Sequence, residues 1–208
     1  MRYSKDHKAE THERIVKSAS VRLREGGVAS IGVADLMKEA GLTHGGFYAH
    51  FASRDALIDE AFVHAMDIAV RRWRKRADNA PKGKALAAIV TGYLTAQHRD
   101  DVGNGCALPA LGAEVSRTSP KTRKAIAARI EQMVDTIAET MPAQTPKAAR
   151  REAMGALATM MGTLILARMA GTGEFSDEVL TAGRQFVLNA EATAKVRPKK
   201  SKAATGPA

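Results

Sequence analysis

The 208-residue sequence has little of what several classes of protein require. Its single cysteine, Cys106, excludes a disulfide within the chain and a cluster of metal-binding cysteines. No apolar stretch follows the charged residues at the start, so no secretory signal is expected. The least charged segment, residues 153–167, is interrupted by glycines and is shorter than the roughly 20 apolar residues that span a bilayer. We therefore expect a cytoplasmic protein with no metal, no cofactor and no membrane contact.

The sequence also lacks strand patterns, because no alternating apolar and polar run of strand length is present. Hydrophobic residues make up 45% and charged residues 26%, which is ordinary for a folded domain. The apolar residues recur instead at helical spacing. We predict an all-α chain of about nine helices, covering residues 8–25, 33–40, 43–50, 54–78 and 84–97, then starting near Cys106, at Ser119-Pro120, at Thr145-Pro146 and at Ser176.

Positive charge is unevenly distributed along the chain. The net charge is +10, yet residues 1–60 have none. Most of the excess lies in the run Arg71–Arg76 and in the tail Lys195–Ala208, which carries +5. We interpret the run as a solvated helix face, with an additional DNA contact as the alternative. The tail lacks large apolar residues, so we expect it to be disordered and to add nonspecific affinity for phosphates.

The segment Ser30–Phe51 has the pattern of a helix-turn-helix. Two short helices are joined by a turn at Gly41, and a longer helix follows them. In the second short helix, Phe47 and Phe51 are four residues apart and can anchor it to the domain. The residues between and before them are small or polar, as expected where a helix enters a major groove.

Three motifs resemble the TetR family of transcriptional regulators: Ala40-Gly41-Leu42-Thr43, Gly46–Phe51 and Ser53–Leu57. The resemblance implies a three-helix DNA-binding head over residues 8–54, with the helix-turn-helix at about 32–51. It also implies a helical ligand-binding and dimerisation domain over residues 55–194, followed by the tail at 195–208.

Residue by residue, the resemblance assigns DNA contacts to Thr43, His44, Gly45, Gly46, Tyr48, His50 and Arg54. Thr43 would cap the recognition helix and reach a phosphate, while residues 44–46 would face base edges. Tyr48, His50 and Arg54 would contact the phosphate backbone.

Two residues depart from the family pattern. Gly32 stands where the family usually has a capping threonine, which weakens that helix start. His44 stands where lysine or arginine is common, so a permanent charge is replaced by a side chain that titrates near neutrality. We therefore predict that DNA affinity rises as the pH falls from about 8 to 6.

For the second domain, the resemblance implies an effector pocket, to which we assign Cys106, Tyr93, His98, Trp73 and Met133. Cys106 follows Gly103-Asn104-Gly105 at a predicted helix start, where the helix dipole would lower its pKa. The Gly-Cys pair resembles TetR-like repressors that respond to electrophiles, some of which sense through such a cysteine. The alternative is a small buried hydrophobe.

The last two helices would form a homodimer, as the resemblance implies. The final helix is amphipathic, and the one before it is apolar nearly all round. Such a two-fold interface would match a palindromic operator. We assign to this interface Leu157, Met161, Leu164, Val179, Gly183, Phe186 and Val187.

We therefore expect a homodimeric repressor that a small molecule or an electrophile releases from DNA. A transcriptional activator of the same fold and a nonspecific architectural DNA binder are the alternatives. An enzyme with Cys106 as nucleophile and His98 or His64 as base is a weaker rival, because no third orienting residue is evident.

Overall fold

The computed structural model describes residues 5–142 and 145–196, with side chains over residues 7–142 and 145–189. These ranges contain nine α-helices, two short 3-10 helices and no strand, which confirms the all-α prediction. The elements are α1 (Lys5–Gly26), η1 (Val28–Ser30), α2 (Val33–Glu39), η2 (His44–Ala49), α3 (Arg54–Asp78), α4 (Ala85–Tyr93), α5 (Ala96–Asp100), α6 (Ala107–Val115), α7 (Pro120–Ala138), α8 (Pro146–Met169) and α9 (Glu174–Val196). The predicted disordered tail lies, after Val196, outside the described residues.

Three long helices begin where hydroxyl side chains predicted them to begin. Ser53 accepts a hydrogen bond from the backbone N–H of Ala56 at 3.1 Å, which caps α3. Ser119 caps α7 and Thr145 caps α8 in the same way, each just before a proline in the first helical turn. A cap satisfies one of the backbone donors that a helix start leaves unpaired, so these starts are set by local sequence.

The segment predicted as one helix over residues 84–97 is instead two helices. α4 ends at Tyr93, and Leu94 and Thr95 leave the helical conformation. The hydroxyl of Thr95 then accepts a hydrogen bond from the N–H of His98 at 3.0 Å, which caps α5. Threonine competes in this way with helical backbone bonds, and the break turns His98 toward the interior. The last helix begins at Glu174, before the predicted Ser176, whose hydroxyl donates to the Ala167 carbonyl.

We call α1, η1, α2 and η2 the head, and α3 to α9 the body. α3 packs against both α1 and α7. α7 packs in turn against α8, and α8 packs against α9. Buried apolar side chains form one cluster that extends from Ile15 in α1 to Val187 in α9. Because the core is shared, the head is held to the body by packing and not by a flexible linker.

Candidate functional site

The turn of the helix-turn-helix is closed by backbone geometry at Gly41. Gly41 has a φ of +69°, which favours glycine. Its N–H donates to the carbonyl of Lys38 at 3.0 Å, and the N–H of Leu42 donates to the carbonyl of Met37 at 2.8 Å. This pair of bonds is a Schellman motif, which satisfies carbonyls at the end of α2 and turns the chain toward η2.

The recognition segment is anchored by two phenylalanines. Phe47 and Phe51 are 1% and 2% exposed, and their ring centroids are 5.3 Å apart. The segment is a 3-10 helix and not the predicted α-helix, consistent with its two adjacent glycines. Thr43 occupies the N-cap position with an extended backbone, but its side chain makes no capping hydrogen bond, so that prediction is wrong.

The opposite side of η2 is open to solvent. Thr43, His44 and Gly45 are exposed, Gly46 is half-buried, and Tyr48 is 69% exposed. A β-carbon added at Gly45 would meet no atom within 4 Å. The glycine is therefore not required by packing within the chain, and this side can approach a macromolecular partner closely.

Arg54 and His50, which are predicted to contact phosphates, both interact with other parts of the chain. Arg54 donates from Nε to the carbonyl of Ile31 at 2.8 Å and from Nη2 to that of Val28 at 2.5 Å. His50 is half-buried, and burial lowers its pKa, to which His12 and Lys8 add. Arg54 thus holds η1 against α3, while His50 favours an uncharged ring.

A cavity of about 430 Å³ lies between α3, α4 and the segment that joins α5 to α6. Its walls bring together four of the five predicted effector residues: Trp73, Tyr93, His98 and Cys106. The fifth, Met133, is fully buried on α7 and is not part of the walls, so that placement is wrong. Helical periodicity does not distinguish a residue of the closed core from a residue of the cavity wall, since both kinds lie on the apolar side of their helix.

His98 forms hydrogen bonds with two other residues of the cavity wall, Tyr93 and Cys106. Its Nδ1–H donates to the carbonyl of Tyr93 at 2.7 Å, and its Nε2 accepts from the N–H of Cys106 at 2.8 Å. Only a neutral ring serves both bonds, and burial lowers the pKa of His98 to about 4. Both ring nitrogens bond backbone groups, so the ring is not placed to take a proton from the thiol.

Cys106 is the N-cap residue of α6 and is 5% exposed. Burial raises the pKa of its thiol, and this outweighs the lowering by hydrogen bonds and by the charges of Arg168 and Arg24. The expected activation at a helix start is therefore wrong in direction, because desolvation disfavours the thiolate more strongly than the helix terminus favours it.

Known proteins are similar to this chain both in sequence near its start and in fold over most of its length. Residues 15–61 match the bacterial regulatory proteins of the tetR family. Similar solved structures include a TetR transcriptional regulator from Chloroflexus aurantiacus J-10-FL, which is 24% identical with a TM-score of 0.74. That alignment covers 88% of this chain and 95% of the other. The chain has the TetR-regulator fold.

Two further similar structures are those of named proteins. The reduced form of Escherichia coli NemR is 18% identical, with a TM-score of 0.73 over 86% of this chain and 96% of NemR. Bacillus subtilis FadR, solved in complex with stearoyl-CoA, is 15% identical, with a TM-score of 0.61 over 84% and 96%. No curated protein matches the chain.

Several cavity residues of this TetR-like chain escaped the sequence analysis: Arg72, Arg76, Gln97, Asp101 and Asn104. The two arginines share a helical face with Trp73, because residues 69, 72, 73 and 76 follow the spacing of one side of a helix. The interpretation of Arg71–Arg76 as a solvated face is thus wrong for Arg76, which is half-buried, whereas Arg72 lines the cavity and is exposed as predicted. Their spacing relative to Trp73 is the sequence signal that could have placed both arginines at the cavity.

The predicted dimer residues of the TetR-like body are mostly internal. Leu157, Leu164, Gly183 and Val187 are buried within the chain, and Met161 and Val179 are half-buried, while Phe186 is 67% exposed. The exposed large apolar side chains of α8 and α9 are Met154, Ile165, Leu166, Met169, Phe175 and Phe186. The apolar content of a helix predicts that it is packed, but it does not distinguish a side facing the core from a side facing outward.

Across the described ranges, no group of three or more His, Cys, Asp or Glu side chains could hold a metal ion. No helix there is long and apolar enough to cross a membrane.

Proposed function

We propose that this chain is a TetR-family transcriptional repressor that binds operator DNA as a homodimer and is released by a small molecule in the 430 Å³ cavity. The observation that carries the DNA-binding part is the open side of η2. Thr43, His44, Gly45 and Tyr48 face outward there, while Phe47 and Phe51 are fixed in the core. A rigid support with exposed small and polar groups suits insertion into a major groove.

For dimerisation, the proposed surface is the outward side of α8 and α9. Leu166, Met169 and Phe186 are 57%, 78% and 67% exposed, which is unusual for large apolar side chains of a monomer. Covering them with a second copy would remove this surface from water. A two-fold pair of heads would then face two half-sites of a palindrome.

The proposed link between cavity and head is α6. Cys106 at its start belongs to the cavity wall, and Glu114 near its end accepts a hydrogen bond from the N–H of Val28. Val28 in turn offers its carbonyl to Arg54. A ligand that shifts α6 would therefore move η1 and the adjoining head, which changes the spacing of two heads in a dimer.

For the effector itself, noncovalent binding is favoured over reaction with the thiol. The thiolate is the nucleophile, and the raised pKa of Cys106 keeps it scarce. The FadR relative was solved with stearoyl-CoA. By analogy, the cavity of this chain, whose volume suits a small ligand, would hold the effector here.

The test is selection of binding sites from random duplex DNA by the full-length protein at physiological salt. We expect an inverted repeat, and we expect Tyr48→Ala to weaken binding to it at least tenfold while Tyr48→Phe weakens it less. No sequence preference, together with loss of binding when residues 195–208 are deleted, would favour the architectural alternative and overturn the proposal.

A further inference from the structure

We propose that the cavity takes a small organic anion, an acidic group on an apolar body, with the acidic group held by Arg72 and Arg76. This rests on the proposed function only in naming the cavity as the effector site. The binding chemistry itself is argued from the walls of the cavity.

The first observation is uncompensated positive charge. Arg72 and Arg76 both line the cavity one helical turn apart on α3. Arg72 donates to the carbonyl of Asn104. Within the described ranges no carboxylate forms an ion pair with either arginine, and no hydrogen-bond partner is found for Arg76. Burial lowers the pKa of Arg76, and the charge of Arg72 lowers it further. An anion between the two guanidinium groups would relieve this repulsion.

Neighbouring cations strengthen this field, and the carboxylate of the cavity walls opposes it only in part. Arg24 and Arg168 lie close enough to lower the pKa of the Cys106 thiol. The carboxylate among the cavity walls is Asp101, and it is exposed and accepts hydrogen bonds from the backbone and side chain of Asn104. The buried side of the cavity therefore favours negative charge in a ligand.

The second observation is a buried hydroxyl whose polar neighbour is a thiol. Tyr93 is 1% exposed and lines the cavity, and its hydroxyl lies beside the Cys106 thiol without a hydrogen bond of full geometry. Burial raises the pKa of Tyr93 well above its ordinary value, so the group remains an O–H donor. Sulfur is a weak acceptor, so a ligand oxygen that reaches this hydroxyl would accept a stronger hydrogen bond than the thiol does.

The third observation is the apolar surface beside the two arginines. Ala69 and the ring of Trp73 line the same cavity, and Trp73 meets Tyr93 edge to face with ring centroids 5.3 Å apart. A bare inorganic ion would leave this surface uncovered, whereas a short hydrocarbon body would cover it. Together the walls fit an amphiphilic anion.

The experiment uses the emission of Trp73, the only tryptophan of the chain. Full-length protein is titrated with hexanoate and benzoate, and with their uncharged amides hexanamide and benzamide. We expect saturable binding of at least one acid, with its amide at least tenfold weaker. Arg72→Gln and Arg76→Gln should each weaken binding of the acid at least tenfold. Arg71→Gln, an exposed neighbour on the same helix that is not part of the walls, should stay within twofold.

Equal affinity for acid and amide, binding unchanged in both Arg72→Gln and Arg76→Gln, or no response to either acid would overturn the inference. Thermal unfolding checks that each variant is folded. DNA binding is measured separately on the same preparations. Loss of the anion response with intact operator binding contradicts this inference alone, whereas anion binding without sequence-specific DNA binding contradicts the proposed function alone.

Discussion

The carboxylate of Glu114 accepts a hydrogen bond from the backbone N–H of Val28 at 3.0 Å, which joins the last turn of α6 to the start of η1. The junction is tightly packed. The preceding residue, Gly27, has a φ of +69°, and a β-carbon there would collide with the Glu114 carboxylate. The end of the helix that begins at the cavity wall is thus in direct contact with the head.

Replacing Glu114 tests this junction. Glu114→Ala leaves the half-buried Val28 N–H without its acceptor, and we expect the free energy of unfolding to fall by about 1–2 kcal/mol. Glu114→Gln keeps an acceptor and should lose less than half of that. Urea denaturation gives both values, with Glu131→Ala, an exposed carboxylate on α7, as the control. Equal losses for Glu114→Ala and Glu131→Ala would show that the junction contributes nothing.

His98 predicts a pH dependence of stability. Its pKa is about 4 in the folded chain and near 6.5 when unfolded, so between these values only the unfolded chain takes up the proton. The free energy of unfolding therefore falls as the pH drops from about 6.5 to about 4, by on the order of 2–3 kcal/mol from this residue. His50 and His64, whose pKa values burial also lowers, contribute in the same direction.

The measurement is urea denaturation at several pH values between 4 and 8. The slope with pH should be shallower in His98→Gln than in the wild type, because one protonation is removed. His44→Gln replaces an exposed histidine and serves as the matched control. A wild-type slope retained in His98→Gln would contradict the assignment, whatever the absolute stability of that variant.

Gly45→Ala separates folding from DNA binding. A methyl group at this position meets no atom of the chain within 4 Å, so the melting temperature should not fall. If the backbone of η2 must approach base edges closely, the same methyl group would weaken operator binding at least tenfold. Gly112→Ala, at another open helical position on α6, is the control for stability and binding. Operator affinity unchanged in Gly45→Ala would show that this part of η2 does not approach the DNA closely.

The exposed side of α8 and α9 predicts the effect of a charge there. Phe186→Glu and Leu166→Glu each place a carboxylate on the proposed interface, and both should convert a dimer to a monomer in sedimentation experiments, since an unpaired charge would have to be buried. Operator affinity should fall with the dimer. Ala127→Glu, exposed on α7, should leave assembly unchanged. A dimer that survives both substitutions would place the interface elsewhere.

Local sequence was sufficient for the helix starts and for the turn. Ser53, Ser119 and Thr145 cap their helices through bonds to residues three positions away, and Gly41 closes the turn through bonds to adjacent residues. The anchoring of η2 was also predictable, because the spacing of Phe47 and Phe51 places both rings on one side. These features depend on short-range geometry that each sequence segment carries with it.

Other features depended on which segments the fold brings together. The pKa of Cys106 was mispredicted because its burial comes from distant parts of the chain. The contacts of Arg54 within the chain were not predicted either, because the carbonyls of Val28 and Ile31 reach its donors only once η1 packs on α3.

The sequence by itself determined an all-helical chain, the positions of most helix starts and the open side of η2. Only the tertiary structure decided that Arg72 and Arg76 share a cavity with Tyr93, and that Leu164 faces the core while Leu166 faces outward. A helical stripe records that a side is apolar or charged, but not what lies against it. Burial and desolvation come from contacts between residues far apart in sequence, and these contacts set the chemistry of the site.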